Sequence, residues 1–253
     1  MMKLKDKVVI VTGGGQGIGL GIARAFAAEG ASLAITGRNL DKLEKAAEQI
    51  KADYNVPVFC VSADGSKEAD VKNAVKQIAE HYGRIDSIVN NAQTSKSGLT
   101  LVEHTTEDFD LAIYTGLYAS FWYMREAFPY LKESKGTVIN FASGAGLHGR
   151  PGQSSYGAAK EGIRGLSRTA ATEWGEFGIR VNVVCPLAMT PGLAQWKEAF
   201  PEMYAKQLSA IPLRRFGDPQ DDIGKVCVFL ASDDSSYITG QTIELQGGSA
   251  LRP

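Results

Sequence analysis

Gly13, Gly17 and Gly19 follow a run of four aliphatic residues, 8–11, and a threonine. That junction constrains the chain more than any other feature. The apolar run reads as a buried strand. Ile18, Ile22, Ala25 and Phe26 then share one face of a helix. Glycines between the two let the backbone turn sharply and approach a ligand closely. The helix N-terminus adds free N–H groups and a positive dipole end. A phosphate-bearing ligand is expected here, held by Gly13, Gln16, Gly17, Ile18 and Gly19. Glycines also suit an ordinary tight turn, but their place at the first strand of a βαβ unit favours the ligand.

The alternation continues along the chain. Further strands are expected at 32–36, 58–61, 85–90, 137–141, 180–185 and 242–245. Leu40, Leu43, Ala47 and Ile50 mark one amphipathic helix, and Val71, Val75, Ile78 and Tyr82 the next. A long helical stretch over 107–131 is expected to break near Pro129, and helices are also expected at 156–174 and 221–230. The strands are continuous apolar runs, as in sheets buried on both faces. The expectation is one α/β domain over 1–253: a Rossmann-type, doubly wound parallel β-sheet with helices on both faces. Segment 187–219 is the irregular part, and its place beyond the sixth strand makes it the candidate substrate segment.

Composition sets further bounds. Hydrophobic residues make up 44% of 253, enough for a core, and the net charge of −1 comes without a basic block. Nucleic-acid partners and a polybasic membrane anchor find no support. No apolar run approaches the ~18 residues of a membrane span. Lys3 and Lys5 precede an apolar run too short for a signal peptide, so the chain reads as cytoplasmic. Cys60, Cys185 and Cys227 are widely spaced and read as reduced, structural thiols. His81, His104 and His148 have no metal-ligand spacing, so no metal is expected.

The end of the second strand selects the cofactor. A carboxylate there would hold the ribose 2′-hydroxyl of NAD. The chain instead has Gly37 and Arg38, with no carboxylate until Asp41. Arg38 suits the 2′-phosphate of NADP, by a bidentate contact; the alternative is a solvated arginine opening a helix. Gln16 tempers the case, because a basic residue there would strengthen it. Asp64, after the third strand, is placed to meet the adenine edge. Asn90, Asn91 and Ala92, ending the fourth, are placed to pass beneath the adenine ribose.

Tyr156 and Lys160 stand at i and i+4 on one helix face, with Ser143 thirteen residues before the tyrosine. A tyrosine titrates at about 10, and a nearby ammonium favours its phenolate. Such a phenol exchanges a proton with a substrate oxygen, while Ser143 hydrogen-bonds that oxygen and Lys160 also holds the nicotinamide ribose. Taken with the glycine turn, the set points to hydride exchange between a nicotinamide and an alcohol or ketone. A surface Tyr–Lys pair and an ordinary loop serine is the alternative.

These motifs, in this order, resemble the short-chain dehydrogenase/reductase family over nearly the whole chain. The resemblance implies Ser143, Tyr156 and Lys160 as catalytic residues and a seven-stranded sheet. It also implies Pro186 and Thr190 at the nicotinamide carboxamide. A homotetramer or homodimer is expected, with its main contact on the helices around Tyr114 and Tyr156. Three positions depart from the family pattern. Gln93 replaces a glycine, Gly116 stands where the family has an asparagine, and Leu187 follows Pro186 in place of glycine. Gly116 puts the family's asparagine-held water in doubt. The segments 90–93, 114–118, 140–146, 185–190 and 215–219 are similar to a subgroup, the bacterial NADP-dependent 12α-hydroxysteroid dehydrogenases. That implies a bile-acid 12α-hydroxyl as substrate. Gln93, Leu187, Leu193 and Trp196 are then the candidate substrate contacts, with Phe200, Met203, Tyr204, Leu208 and Ile211 extending an apolar slot. Ordinary core or dimer packing explains those side chains equally well. His148 and Arg150 are candidates for the opposite wall. Two other readings stay open. One is a reductase of smaller ketones or 3-oxoacyl thioesters, with Lys197, Lys206, Arg214 and Arg215 as carrier-protein contacts. The other is an NADP-binding regulator without turnover.

Overall fold

Seven parallel strands form one sheet in the order β3-β2-β1-β4-β5-β6-β7 in a computed structural model that describes residues 2–250. They are β1 (Val8–Thr12), β2 (Ser32–Gly37), β3 (Val58–Ser62), β4 (Ser87–Asn90), β5 (Thr137–Phe141), β6 (Arg180–Pro186) and β7 (Thr242–Leu245). All residues of β1, β4 and β5 are buried, which is why those runs are apolar or neutral and lack strand alternation. The helices are α1 (Gly17–Ala28), α2 (Leu40–Tyr54), α3 (Glu68–Tyr82), α4 (Thr106–Ala112), α5 (Ala119–Ser134), α6 (Gly144–His148), α7 (Ser154–Trp174), α8 (Pro191–Ala199), α9 (Pro201–Ser209) and α10 (Lys225–Ala231). One core packs α1, α2 and α10 on the sheet through residues such as Phe26, Ile50 and Cys227. A second packs α3, α5 and α7 on the opposite face through Ile78, Met124 and Ala170. No described helix is long and apolar enough to cross a membrane.

Strand order reverses direction between β1 and β4, so the carboxyl ends of these two strands flank a crevice. Thr12 holds its edges together. Its hydroxyl accepts from the N–H groups of Asn91 and Ala92, both at 3.0 Å, and its carbonyl accepts from Asn91 Nδ2 at 3.0 Å.

The expected break near Pro129 does not occur. Helix α5 runs through Pro129 to Ser134, and the proline lies on the exposed face, where the carbonyl it leaves unbonded is open to solvent. The irregularity falls earlier, in a π-helical turn over Ile113–Tyr118 with Gly116 inside it. The Thr115 hydroxyl lies 2.6 Å from the Leu111 carbonyl and accepts from the Thr94 N–H at 3.1 Å. The same hydroxyl lies 2.8 Å from the Thr94 carbonyl, so Thr115 ties the π-turn to the loop after β4. The 187–219 segment is more ordered than its prolines suggest. Pro191 and Pro201 open α8 and α9, where a missing N–H costs nothing. The helix expected at 221–230 begins instead as a π-turn over Pro219–Gly224 before α10.

Candidate active site

The first cleft occupies the crevice and measures about 550 Å³. Its floor is the turn from β1 to α1. A Cβ on Gly19 would lie 2.3 Å from the Gly13 carbonyl oxygen, so the turn closes only because that position is glycine. Gly13, Gln16, Gly17, Ile18 and Gly19 all line this cleft, and so do Arg38, Asp64, Ala92, Gln93 and Thr190. A glycine turn, a helix N-terminus and a cation at the end of β2 fit a dinucleotide phosphate group by group. Burial pushes the Asp64 carboxyl up, but hydrogen bonds from Ser66 N at 3.0 Å and Oγ at 2.8 Å, with the charges of Lys67 and Arg38, bring it below the usual range. Thr190 caps α8 by accepting from Leu193 N at 3.2 Å.

The structure adds a cation that sequence reasoning missed. Lys42, on the first turn of α2, also lines the cleft, and its Nζ lies 3.5 Å from Gln16 Oε1. The basic charge absent at position 16 is therefore delivered from α2. Asn39 caps α2 by accepting from Lys42 N at 2.9 Å, which sets that lysine on the first turn of the helix.

Asn90 does not line the first cleft itself but a small cavity of about 30 Å³ that shares Gly13, Thr36, Gly37 and Ala92 with it. It is buried in β4 and donates to Asn140 Oδ1 at 2.8 Å, and Asn140 donates to Ser167 Oγ at 2.8 Å. This polar line through the core fixes α7 against the sheet. Asn91 and Ala92 reach the cleft instead.

A second cavity of about 480 Å³ opens beside the first. Ser143, Tyr156, Pro186, Leu187, Arg150 and Ile211 are among its walls. Ser143 ends the β5 turn and caps the short α6 by accepting from Ala145 N at 3.1 Å; it shares this cavity with the Tyr156 phenol. Burial pushes that phenol above its ordinary value; the neighbouring Ser143 hydroxyl opposes the shift and nearby Cys185 adds to it. Lys160 is buried and donates to the Phe141 carbonyl at 2.6 Å. Burial lowers its ammonium from 10.5 to about 7. His104 holds the start of α7, with ring nitrogens 3.0 Å from Ser154 Oγ and 3.2 Å from Ser155 Oγ.

The proposed substrate contacts divide. Leu187 lines the second cavity, with its backbone fixed by bonds to Leu245 O at 2.9 Å and from Gly217 N at 3.1 Å. Gln93 stands on the first cleft. Leu193 and Trp196 line neither; Trp196 packs its ring 6.3 Å from those of Phe200 and Tyr204. The cysteines are free thiols, with burial raising each, Cys185 to about 11. No cluster of metal-ligating side chains occurs among the described residues.

Comparison with known proteins agrees with this geometry. A family model described as enoyl-(acyl carrier protein) reductase matches residues 13–250. A 12α-hydroxysteroid dehydrogenase of a Clostridium species is 55% identical over 98% of both chains. The 3-oxoacyl-(acyl-carrier-protein) reductase FabG of Thermotoga maritima is 39% identical, covering 99% of this chain and 100% of its own. Among solved structures, levodione reductase superposes with a TM-score of 0.92 at 33% identity, over 98% of this chain and all of its own. The chain belongs to the short-chain dehydrogenase/reductase family, oxidoreductases that act on CH–OH groups with a nicotinamide cofactor.

Proposed function

We propose that the chain is an NADP-dependent 12α-hydroxysteroid dehydrogenase that interconverts the 12α-hydroxyl and 12-ketone of bile acids. The observation that carries this reading is the 55% identity across 98% of both chains with the Clostridium enzyme. The second cavity supports it, since about 480 Å³ lies within the ~300–1,000 Å³ range of small-molecule sites. Leu187 and Ile211 give it apolar walls, and Arg150 offers a cation to an acidic tail.

When bound, the nicotinamide supplies or accepts the hydride and, oxidised, a positive charge. The glycine turn holds its pyrophosphate, and Arg38 with Lys42 holds the 2′-phosphate. Tyr156 Oη exchanges a proton with the substrate oxygen, which Ser143 orients by hydrogen bond. Lys160 sets the charge beside the phenol and holds the ribose. Pro186 and Thr190 meet the carboxamide. The enzyme works in the cytoplasm as a homotetramer or homodimer. The exposed Leu111, Tyr114, Tyr118 and Phe121 supply the contact face, with the two tyrosine rings stacked at 5.0 Å.

The FabG likeness favours a second reading, a 3-oxoacyl thioester reductase. Its carrier-protein patch is largely engaged within the chain: Arg215 pairs with Asp222, Arg214 donates to the Ser209 carbonyl, and Lys197 lies 5.2 Å from the Tyr204 ring centre. A panel of hydroxylated bile acids, small ketones and 3-oxoacyl thioesters, each with NADP(H) and NAD(H), separates the two. Turnover of 12α-hydroxysteroids with NADP is expected. Good turnover of ketones or thioesters with every 12α-hydroxysteroid untouched would overturn the steroid reading.

A further inference from the structure

Two departures from the family pattern meet in space. A Cβ on Gly116 would lie 2.6 Å from Gln93 Cδ and 2.8 Å from both Nε2 and Oε1. The Gln93 carboxamide, the far end of a flexible side chain, therefore lies where a side chain at 116 would go. Its Nε2 donates to the Ala112 carbonyl at 3.3 Å, at the mouth of the π-turn. Its Oε1 is buried and has no donor among the described residues.

An orphaned acceptor of this kind costs about 1–3 kcal/mol unless a donor reaches it. A donor surplus exists on the neighbouring helix α7. An ammonium carries three N–H groups, and buried Lys160 spends one on Phe141. The π-turn lies directly against α7, where Leu117 fits so closely that a Cβ on Gly162 would stand 2.8 Å from its Cδ2. Buried water commonly joins such complementary groups.

We propose that Gln93 is a positioning residue for the Tyr156–Lys160 pair. Its carboxamide occupies the space left by Gly116, and its Oε1 accepts a water-linked hydrogen bond from the Lys160 ammonium. This rests on the proton-transfer role given to that pair above.

The test uses two variants of the full chain. Gln93→Met keeps the bulk and removes the acceptor. Gln93→Glu keeps the acceptor and adds charge. The titration of Lys160 is followed by NMR on labelled lysine, a readout that needs no turnover. An acceptor stabilises the charged form, so Gln93→Met should lower the midpoint by about half a pH unit or more, and Gln93→Glu should raise it. The pH profile of kcat should move the same way. A role in packing alone would not give shifts of opposite sign. An unchanged Lys160 midpoint in both Gln93 variants overturns the proposal. A wild type inactive on every steroid, with the midpoints shifted as expected, would instead count against the substrate reading.

Discussion

The Lys160 ammonium lies 5.5 Å from the centre of the Tyr156 ring while donating to the Phe141 carbonyl at 2.6 Å. One turn of α7 thus carries both groups, and the end of β5 pins them. Burial lowers the ammonium to about 7 and raises the phenol. In the protein alone the pair is a phenol beside an amine that changes charge near neutrality. The phenol is the form that delivers a proton to a ketone oxygen. A charged Lys160 draws it toward phenolate, the form that accepts a proton from an alcohol.

Tyr156→Phe removes only the phenolic oxygen and leaves the ring against Lys160. Turnover should fall by about 10²- to 10⁴-fold. Dinucleotide affinity, read by fluorescence titration, should hardly change. Undiminished turnover would remove Tyr156 from the proton-transfer role.

Lys160 also makes folding depend on pH. Its pKa is 10.5 when unfolded and about 7 when folded. Between these values the unfolded chain holds a proton that the folded chain has released, so this group's contribution to stability rises with pH across that window. Below about 7 both states are charged and the full burial penalty applies. Lys160→Met should therefore stabilise the fold most at about pH 6 and progressively less toward about pH 10. Urea unfolding of both proteins at several pH values checks this. A difference independent of pH would show that Lys160 is not held at a lowered pKa.

Arg38 and Lys42 both line the first cleft beside the end of β2. If they share the 2′-phosphate, Arg38→Ala and Lys42→Ala should each weaken NADP binding by about tenfold or more, because hydrogen bonds to charged groups contribute about 1.5–3 kcal/mol. NAD affinity should stay nearly constant in both. Calorimetric titration with each dinucleotide measures this. Equal losses for NAD and NADP would make the two cations part of the turn's structure and not a phosphate site.

The parallel sheet was legible because buried strands such as Val8–Thr12 and Thr137–Phe141 are unbroken by charge. The glycine turn and the i, i+4 pair were legible because each is local: one turn and one helix face hold all their parts. Lys42 was missed because its partner Gln16 is 26 residues away, and only the packing of α1 beside α2 joins them. The Gln93–Gly116 fit was missed for the same reason, because a glycine says nothing about what fills the space beside it. Pro129 misled because a proline costs little on a solvated helix face, whereas the π-turn leaves no mark in ordinary helical periodicity.

The substrate wall separates two side chains that looked alike in sequence. Leu187 and Trp196 are both apolar and both follow β6, yet only Leu187 faces the cavity that contains Ser143 and Tyr156. Trp196 spends its ring on Phe200 and Tyr204. Truncating a side chain that packs on an apolar substrate forfeits up to about 1.5–3 kcal/mol, so Leu187→Ala should raise the steroid KM by about tenfold or more. Trp196→Ala should disturb α8 and α9 but leave the steroid KM closer to that of the wild type. The cofactor KM should move little in Leu187→Ala, because that residue lies outside the first cleft. Steady-state kinetics on both variants decide the matter. A larger effect from Trp196 than from Leu187 would mean that α8 and α9 fold over the steroid, and that the apolar wall lies on the segment and not on the turn after β6.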